Sequence, residues 1–132
     1  MIGSLNSKLI VAAIVGAIAF ASPASAADLS GAWSGGGSVN YKSGSKEKAR
    51  CRANFSKIGS SSYSMSATCA TASGKVSQTA TLKKTGDNSY AGSFRNPEYN
   101  VTGSISIRVN GSSQSVSMSS EAGSAYFSLS KS

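Results

Sequence analysis

Tyr99-Asn100-Val101-Thr102-Gly103-Ser104-Ile105-Ser106-Ile107-Arg108-Val109-Asn110-Gly111 alternates without a break. Tyr99, Val101, Gly103, Ile105, Ile107 and Val109 fall on one parity, while Asn100, Thr102, Ser104, Ser106 and Arg108 fall on the other. A period of two marks a β-strand with one buried face. Asn110-Gly111 then supplies two residues that tolerate the positive φ of a type I′ turn, the strongest short signal for a hairpin.

The same pattern repeats in both directions. Ala49, Cys51, Ala53 and Phe55 oppose Arg50, Arg52, Asn54 and Ser56 in parity, and Tyr63, Met65, Ala67 and Cys69 oppose Ser64, Ser66 and Thr68. Further alternating segments run through Val76 to Leu82, Tyr90 to Phe94, Val116 to Met118 and Ala125 to Leu129. Turn residues separate them: Gly59-Ser60-Ser61-Ser62, Ala72-Ser73-Gly74, Thr85-Gly86-Asp87-Asn88, Asn96-Pro97 and Ala122-Gly123. With an opening strand around Leu29 to Tyr41, the count is eight. The pattern predicts one all-β domain, an eight-stranded antiparallel meander closed into a small barrel, with a β-sandwich as the alternative. Gly35, Gly37, Gly92 and Gly103 lie on the inward parity and favour the barrel, because strands bend where a side chain is missing. They are also expected to leave space near the aromatic residues.

Composition alone points elsewhere. From residue 27 onward, Leu, Ile, Val and Phe make up 14 of 106 residues and serine 27, a balance expected of a disordered chain. Disorder would not keep register over eight segments, so the shortage of apolar residues is read as a thin core under a polar outer face. Helix is equally disfavoured by the abundance of Ser, Gly and Thr.

Residues 1–26 differ from the rest. Lys8 is the only charge before Asp28, and it precedes an apolar run from Leu9 to Phe20, followed by Pro23 and Ala24-Ser25-Ala26. This predicts a signal peptide cleaved after Ala26 and places the domain, residues 27–132, in the periplasm or outside the cell. The two cysteines, Cys51 and Cys69, fit an oxidising compartment. A hairpin centred on Ser60 would set them directly opposite one another, within reach of a disulfide worth ~3 kcal/mol by loop entropy.

The chain has 13 Lys and Arg, 5 Asp and Glu and no His, for a net charge of +8. Without histidine there is neither an imidazole base nor an imidazole ligand, and two cysteines make no zinc site. Catalysis would have to rest on Asp28, Glu47, Asp87, Glu98 or Glu121 with a serine, and no nucleophile and base are paired by spacing. No enzyme activity, metal or cofactor is therefore expected. Gly35-Gly36-Gly37-Ser38 lacks the Gly-Lys-Ser/Thr ending of a phosphate loop and reads as a bent strand.

Two features are candidate binding sites. Lys46, Lys48, Arg50 and Arg52 share the outward parity of one strand, making a cationic ladder with a step of about 6.6 to 6.8 Å. Such a ladder could hold anionic polysaccharide or lipid head groups, or it could simply guard an exposed sheet edge. Nucleic acid is disfavoured, since the ladder lacks exposed aromatics for stacking. The second feature is the interior set of Trp33, Tyr63, Tyr90 and Tyr99, which could line a hydrophobic pocket at one barrel end or merely fill the core.

Gly31-Ala32-Trp33 at the start of the first strand, followed by an eight-strand meander, resembles the calycin group: lipocalin-like and avidin-like barrels and the small periplasmic inhibitors of proteases and lysozymes. The resemblance implies a basic residue from the last strand packed over Trp33, a place only Lys131 can fill. A single tryptophan does not carry an avidin-like biotin site over. The resemblance implies a binding barrel that is not an enzyme. The sequence thus predicts a monomeric exported protein acting through its loops and basic outer face on anionic envelope components or a protein partner. Its alternatives are an inhibitor of an envelope or foreign hydrolase and a carrier of a small hydrophobic ligand. A membrane-spanning barrel is disfavoured, because the one apolar face has to fill a core.

Overall fold

Strands form where the alternation predicts them. In the computed structural model, which describes residues 28–132, they are β1 (Gly31–Tyr41), β2 (Lys46–Lys57), β3 (Ser62–Thr71), β4 (Gly74–Gly86), β5 (Ser89–Asn96), β6 (Val101–Asn110), β7 (Ser113–Ser120) and β8 (Gly123–Lys131). Each pairs antiparallel with the next, and β8 returns to β1, so the sheet closes. The barrel is the fold, and the sandwich is excluded. The expected leader, residues 1–26 with its cleavage point after Ala26, lies outside the described residues. Among the described residues no helix is long and apolar enough to cross a membrane.

Parity decides which side chains go inside. Ala49, Cys51, Ala53 and Phe55 are buried, while Lys48, Arg50, Arg52 and Asn54 between them are exposed. The same division holds on β6, where Ile105, Ile107 and Val109 are each 2% exposed. Burying such residues is the main favourable term in folding, worth about 1.5–3 kcal/mol for each large apolar side chain.

The β2–β3 register is the one a hairpin centred on Ser60 requires: Phe55 faces Met65, Ala53 faces Ala67 and Cys51 faces Cys69. The two cysteines are joined, with their α-carbons 4.1 Å apart. At Asn110-Gly111 the structure departs from the expected turn. Asn110 pairs with Ser113, so β6 runs one residue further and the connection is Gly111-Ser112. Only Gly111 has positive φ, at 65°, which is a type II′ rather than a type I′ turn. Ile105 then meets Met118 and Ile107 meets Val116, so both strands still turn their apolar residues inward.

The inward glycines do curl the barrel, but they leave no space. A Cβ on Gly37 would lie 1.9 Å from the carbonyl oxygen of Tyr126, and one on Gly92 would lie 1.8 Å from that of Thr81. Neighbouring backbone occupies the room that the missing side chains free. The expectation that these glycines open a cavity is corrected accordingly.

Candidate functional site

An eight-strand meander has two ends, and here they differ. At one end lie the chain before β1, the β2–β3, β4–β5 and β6–β7 turns, and the end of β8. Leu29 is fully buried there, and Gly31, with φ of 111°, redirects the chain from this plug into β1. Trp33 is 1% exposed, and its Nε1 donates to the carbonyl of Leu29 at 2.9 Å. Lys131 closes the structure from β8, with Nζ 5.3 Å from the centre of the Trp33 ring and donating to the carbonyl of Asp28 at 3.2 Å. A cation over an indole face is attractive through the ring quadrupole. The Asp28 carboxyl is held below its usual range, chiefly by the Ser30 backbone N–H.

Tyr63 and Tyr90 belong to the packed interior. Their rings meet edge to face with centroids 5.3 Å apart, and burial pushes the Tyr90 hydroxyl up to about 12, helped by Tyr63. Trp33, Tyr63 and Tyr90 are therefore core and do not line the cavity at the other end, because side chains from every strand converge in this half.

The opposite end, formed by the β1–β2, β3–β4, β5–β6 and β7–β8 turns, is hollow. A cavity of about 440 Å³ opens there, walled by Val39, Val76, Val101, Met118, Ala125 and Phe127. Val39, Val76, Val101 and Ala125 are short, half-buried side chains that do not fill the barrel, and only Met118 and Phe127 among these six are buried. Gln78 and Asn96 supply polar groups in the wall, and Tyr41 and Tyr99 stand at the mouth. Tyr99, expected in a strand with its ring inward, is 64% exposed and lies in the β5–β6 turn. The turn takes it there: Asn100 has φ of 54°, and Asn96 Oδ1 accepts the Tyr99 backbone N–H at 3.4 Å. Of the four interior candidates, it alone borders the cavity.

Beside Tyr99 the wall is notched. β4 begins at Gly74, but its first partner on β5 is Arg95, opposite Thr79. Glu98 fills the gap by accepting the backbone N–H of Ser77 at 3.2 Å.

Glu47 is one of three carboxylates at this end, with Glu98 and Glu121. It accepts hydrogen bonds from the Tyr41 hydroxyl at 2.9 Å and from Ser73 Oγ, tying β2 to β1 and to the β3–β4 turn. Those donors, Ser73 first, hold its carboxyl below the usual range, whereas burial and then the Glu47 carboxylate push the Tyr41 hydroxyl up. Spacing in the sequence did not reveal this serine and carboxylate pair. A lowered carboxyl is a poor base for a serine, since general bases work best with a pKa near the operating pH. Among the described residues no cluster of three or more His, Cys, Asp or Glu could hold a metal ion.

Lys46, Lys48, Arg50 and Arg52 are all exposed on the outer face of β2. β2 is paired with β1 on one side and β3 on the other, so its charges guard no open edge. Glu47 points away from them, toward Tyr41 and Ser73.

No known family matches the chain, and neither does any curated protein. Solved structures do match in fold. A redesigned β-barrel, mFAP1, bound to DFHBI superposes with a TM-score of 0.65 at 11% identity, covering 79% of this chain and 94% of that one. A second redesigned barrel, mFAP0, also bound to DFHBI, gives 0.66 at 11% identity over 78% and 98% of the two chains. The natural protein Rv2717c from M. tuberculosis gives 0.59 at 15% identity, covering 79% of this chain and 92% of that one. At these identities the likeness concerns architecture: the chain is an eight-stranded antiparallel barrel of the kind these proteins share.

Proposed function

We propose that this protein is an exported, non-enzymatic binding barrel that takes a small, largely apolar molecule into the cup at its open end. The observation that carries this reading is the cup itself. About 440 Å³ of apolar-walled space with a few polar groups falls within the roughly 300–1,000 Å³ of small-molecule sites. Of the readings raised by the sequence, the carrier of a small hydrophobic ligand thus has the best geometric support. Two of the barrels that share the fold are described as bound to DFHBI, which shows that such a scaffold can hold a small molecule. Lys131 over Trp33 supports a calycin-like relationship. The disulfide agrees with the oxidising compartment that residues 1–26 suggest. A polar outer face supports a barrel in water rather than one spanning a bilayer.

Nile red, a neutral apolar dye, tests the cup. It should bind with a blue-shifted emission, and Ala125→Trp, which fills the cup from β8, should weaken binding by about tenfold or more. Ser104→Trp, on the outer face of β6, should leave it unchanged. Equal binding by all three proteins would overturn the reading.

A further inference from the structure

We propose that the outer surface formed by β2, β1 and β8 is a second binding site, separate from the cup, and that it holds a linear acidic polysaccharide. The site appears only when the barrel closes. Asn40, opposite Lys46, ends a run of three outward positions on β1, Ser34, Gly36 and Ser38, all half-buried and with little or no side chain. On one side they pair with Arg52, Arg50 and Lys48 of β2, and on the other with Ser130, Ser128 and Tyr126 of β8. The result is a shallow trough. Its floor is β1, one wall is the cationic ladder, and the other wall carries hydroxyls and an aromatic ring.

Each part suits a charged sugar chain. Lys46 to Arg52 spans about 20 Å with a cation every 6.6 to 6.8 Å, which favours an extended polyanion over a single small anion. Arg50 leans over the floor, with Nη1 3.9 Å from the place of a Cβ on Gly36. Tyr126 is 50% exposed and stands two strand spacings, about 9 to 10 Å, from Lys48. Its ring can stack on the apolar face of a sugar while the ladder takes the acidic groups. Thr68 and Ala70, the neighbours of Arg52 and Arg50 on β3, are short and leave the cations accessible. No carboxylate competes from β2 itself, because Glu47 is engaged by Tyr41 and Ser73.

A single-stranded nucleic acid would also meet cations and an aromatic ring. Its stacking platforms, however, use successive aromatics, and this trough offers one ring among hydroxyls. An anionic membrane would need apolar anchors beside the charges. The other large exposed apolar side chains, Tyr41, Ile58 and Tyr99, lie in or beside the end turns rather than along the ladder.

Heparin is the probe. It should bind the full chain with its disulfide intact, and raising salt from 50 to 200 mM should weaken binding on the order of fifty-fold, as expected for four released counterions. Replacing Lys46, Lys48, Arg50 and Arg52 together with Ser should remove that salt dependence and most of the affinity. Replacing Lys83, Lys84, Arg95 and Arg108 together with Ser, which changes net charge equally, should have a far smaller effect. Tyr126→Ser should weaken binding several-fold and Tyr126→Phe should restore it. Equal losses from the two quadruple variants would show a response to net charge alone and overturn the proposal. Tyr126→Ser binding like the unaltered protein would overturn it as well. Preferential binding of oligo(dT) or of phosphatidylglycerol vesicles by the unaltered protein would replace the polysaccharide by those partners, a result that needs no variant to fold.

Discussion

The two halves of the barrel are built from the same strands and the same alternation, yet one is packed solid and the other hollow. Near the closed end the inward positions carry Trp33, Phe55, Tyr63, Leu82 and Tyr90, and Leu29 plugs what is left. Near the open end they carry Val39, Val76, Val101 and Ala125, all only partly buried. Strand pairing runs through both apart from the notch between β4 and β5 at the open end, so backbone hydrogen bonding does not by itself distinguish them. Side-chain volume does: a small barrel closes where large residues from opposite walls meet and stays open where they do not.

That contrast predicts an asymmetry in stability. Trp33→Ala should cost about 3–5 kcal/mol, because it removes a large buried ring and leaves a cavity beneath Leu29 and Lys131. In a domain of this size that lowers the melting temperature by more than about 12 °C. Val101→Ala, in the wall of the cup, should cost under about 1 kcal/mol, since its side chain is already half in contact with solvent. Thermal melts of the two variants check the difference. Similar losses would mean that the two ends share the load equally, and the comparison would fail.

The closed end also contains a flaw. Gln114 is 3% exposed and faces inward on β7, between Val109 and Leu129 in the pairing, with neither amide atom hydrogen-bonded. An unsatisfied buried amide costs about 1–3 kcal/mol, while an apolar residue of similar shape can be neutral or better. Gln114→Leu should therefore raise stability by about 1 kcal/mol or more, read from the denaturation midpoint. A lower midpoint would show that the amide has a role the packing does not reveal.

Most of the fold was legible because parity is a local property. Each strand, its inward face and the Cys51–Cys69 register follow from residues close in sequence, and the place of Lys131 follows from the Gly31-Ala32-Trp33 resemblance. What escaped depends on sums over distant strands. Trp33, Tyr63 and Tyr90 are inward as the alternation predicts, but whether they border space depends on what the five other strands bring to the same level. Tyr99 followed the parity of β6, whereas the Asn96 to Asn100 turn took control of it. Tyr126 looked like one polar-face residue among serines until closure of β8 onto β1 set it across Ser38 from Lys48. The ladder itself was visible, but the edge it could have guarded vanished when the sheet closed.

The smallest expected effect lies at the rim of the open end. Glu47 titrates lower in the folded protein than in the unfolded chain because Ser73, Tyr41 and Thr71 hydrogen-bond to its charged form. The stability it contributes is therefore present in full above the ordinary carboxylate value of 4.5 and is lost as pH falls through the lower folded value. Asp28 does the same at the closed end through the Ser30 backbone N–H. Glu47→Gln should flatten the acid limb of the stability profile below about pH 4.5 without abolishing it, since Asp28 remains, and should change the melt near pH 7 only slightly, as an exposed carboxylate in water contributes little. Asp28→Asn should remove the other share. Because the two groups sit at opposite ends and share no partner, their effects on the acid limb should add. A double variant that loses more than the sum of the two would show an energetic coupling between the two ends that no shared partner accounts for.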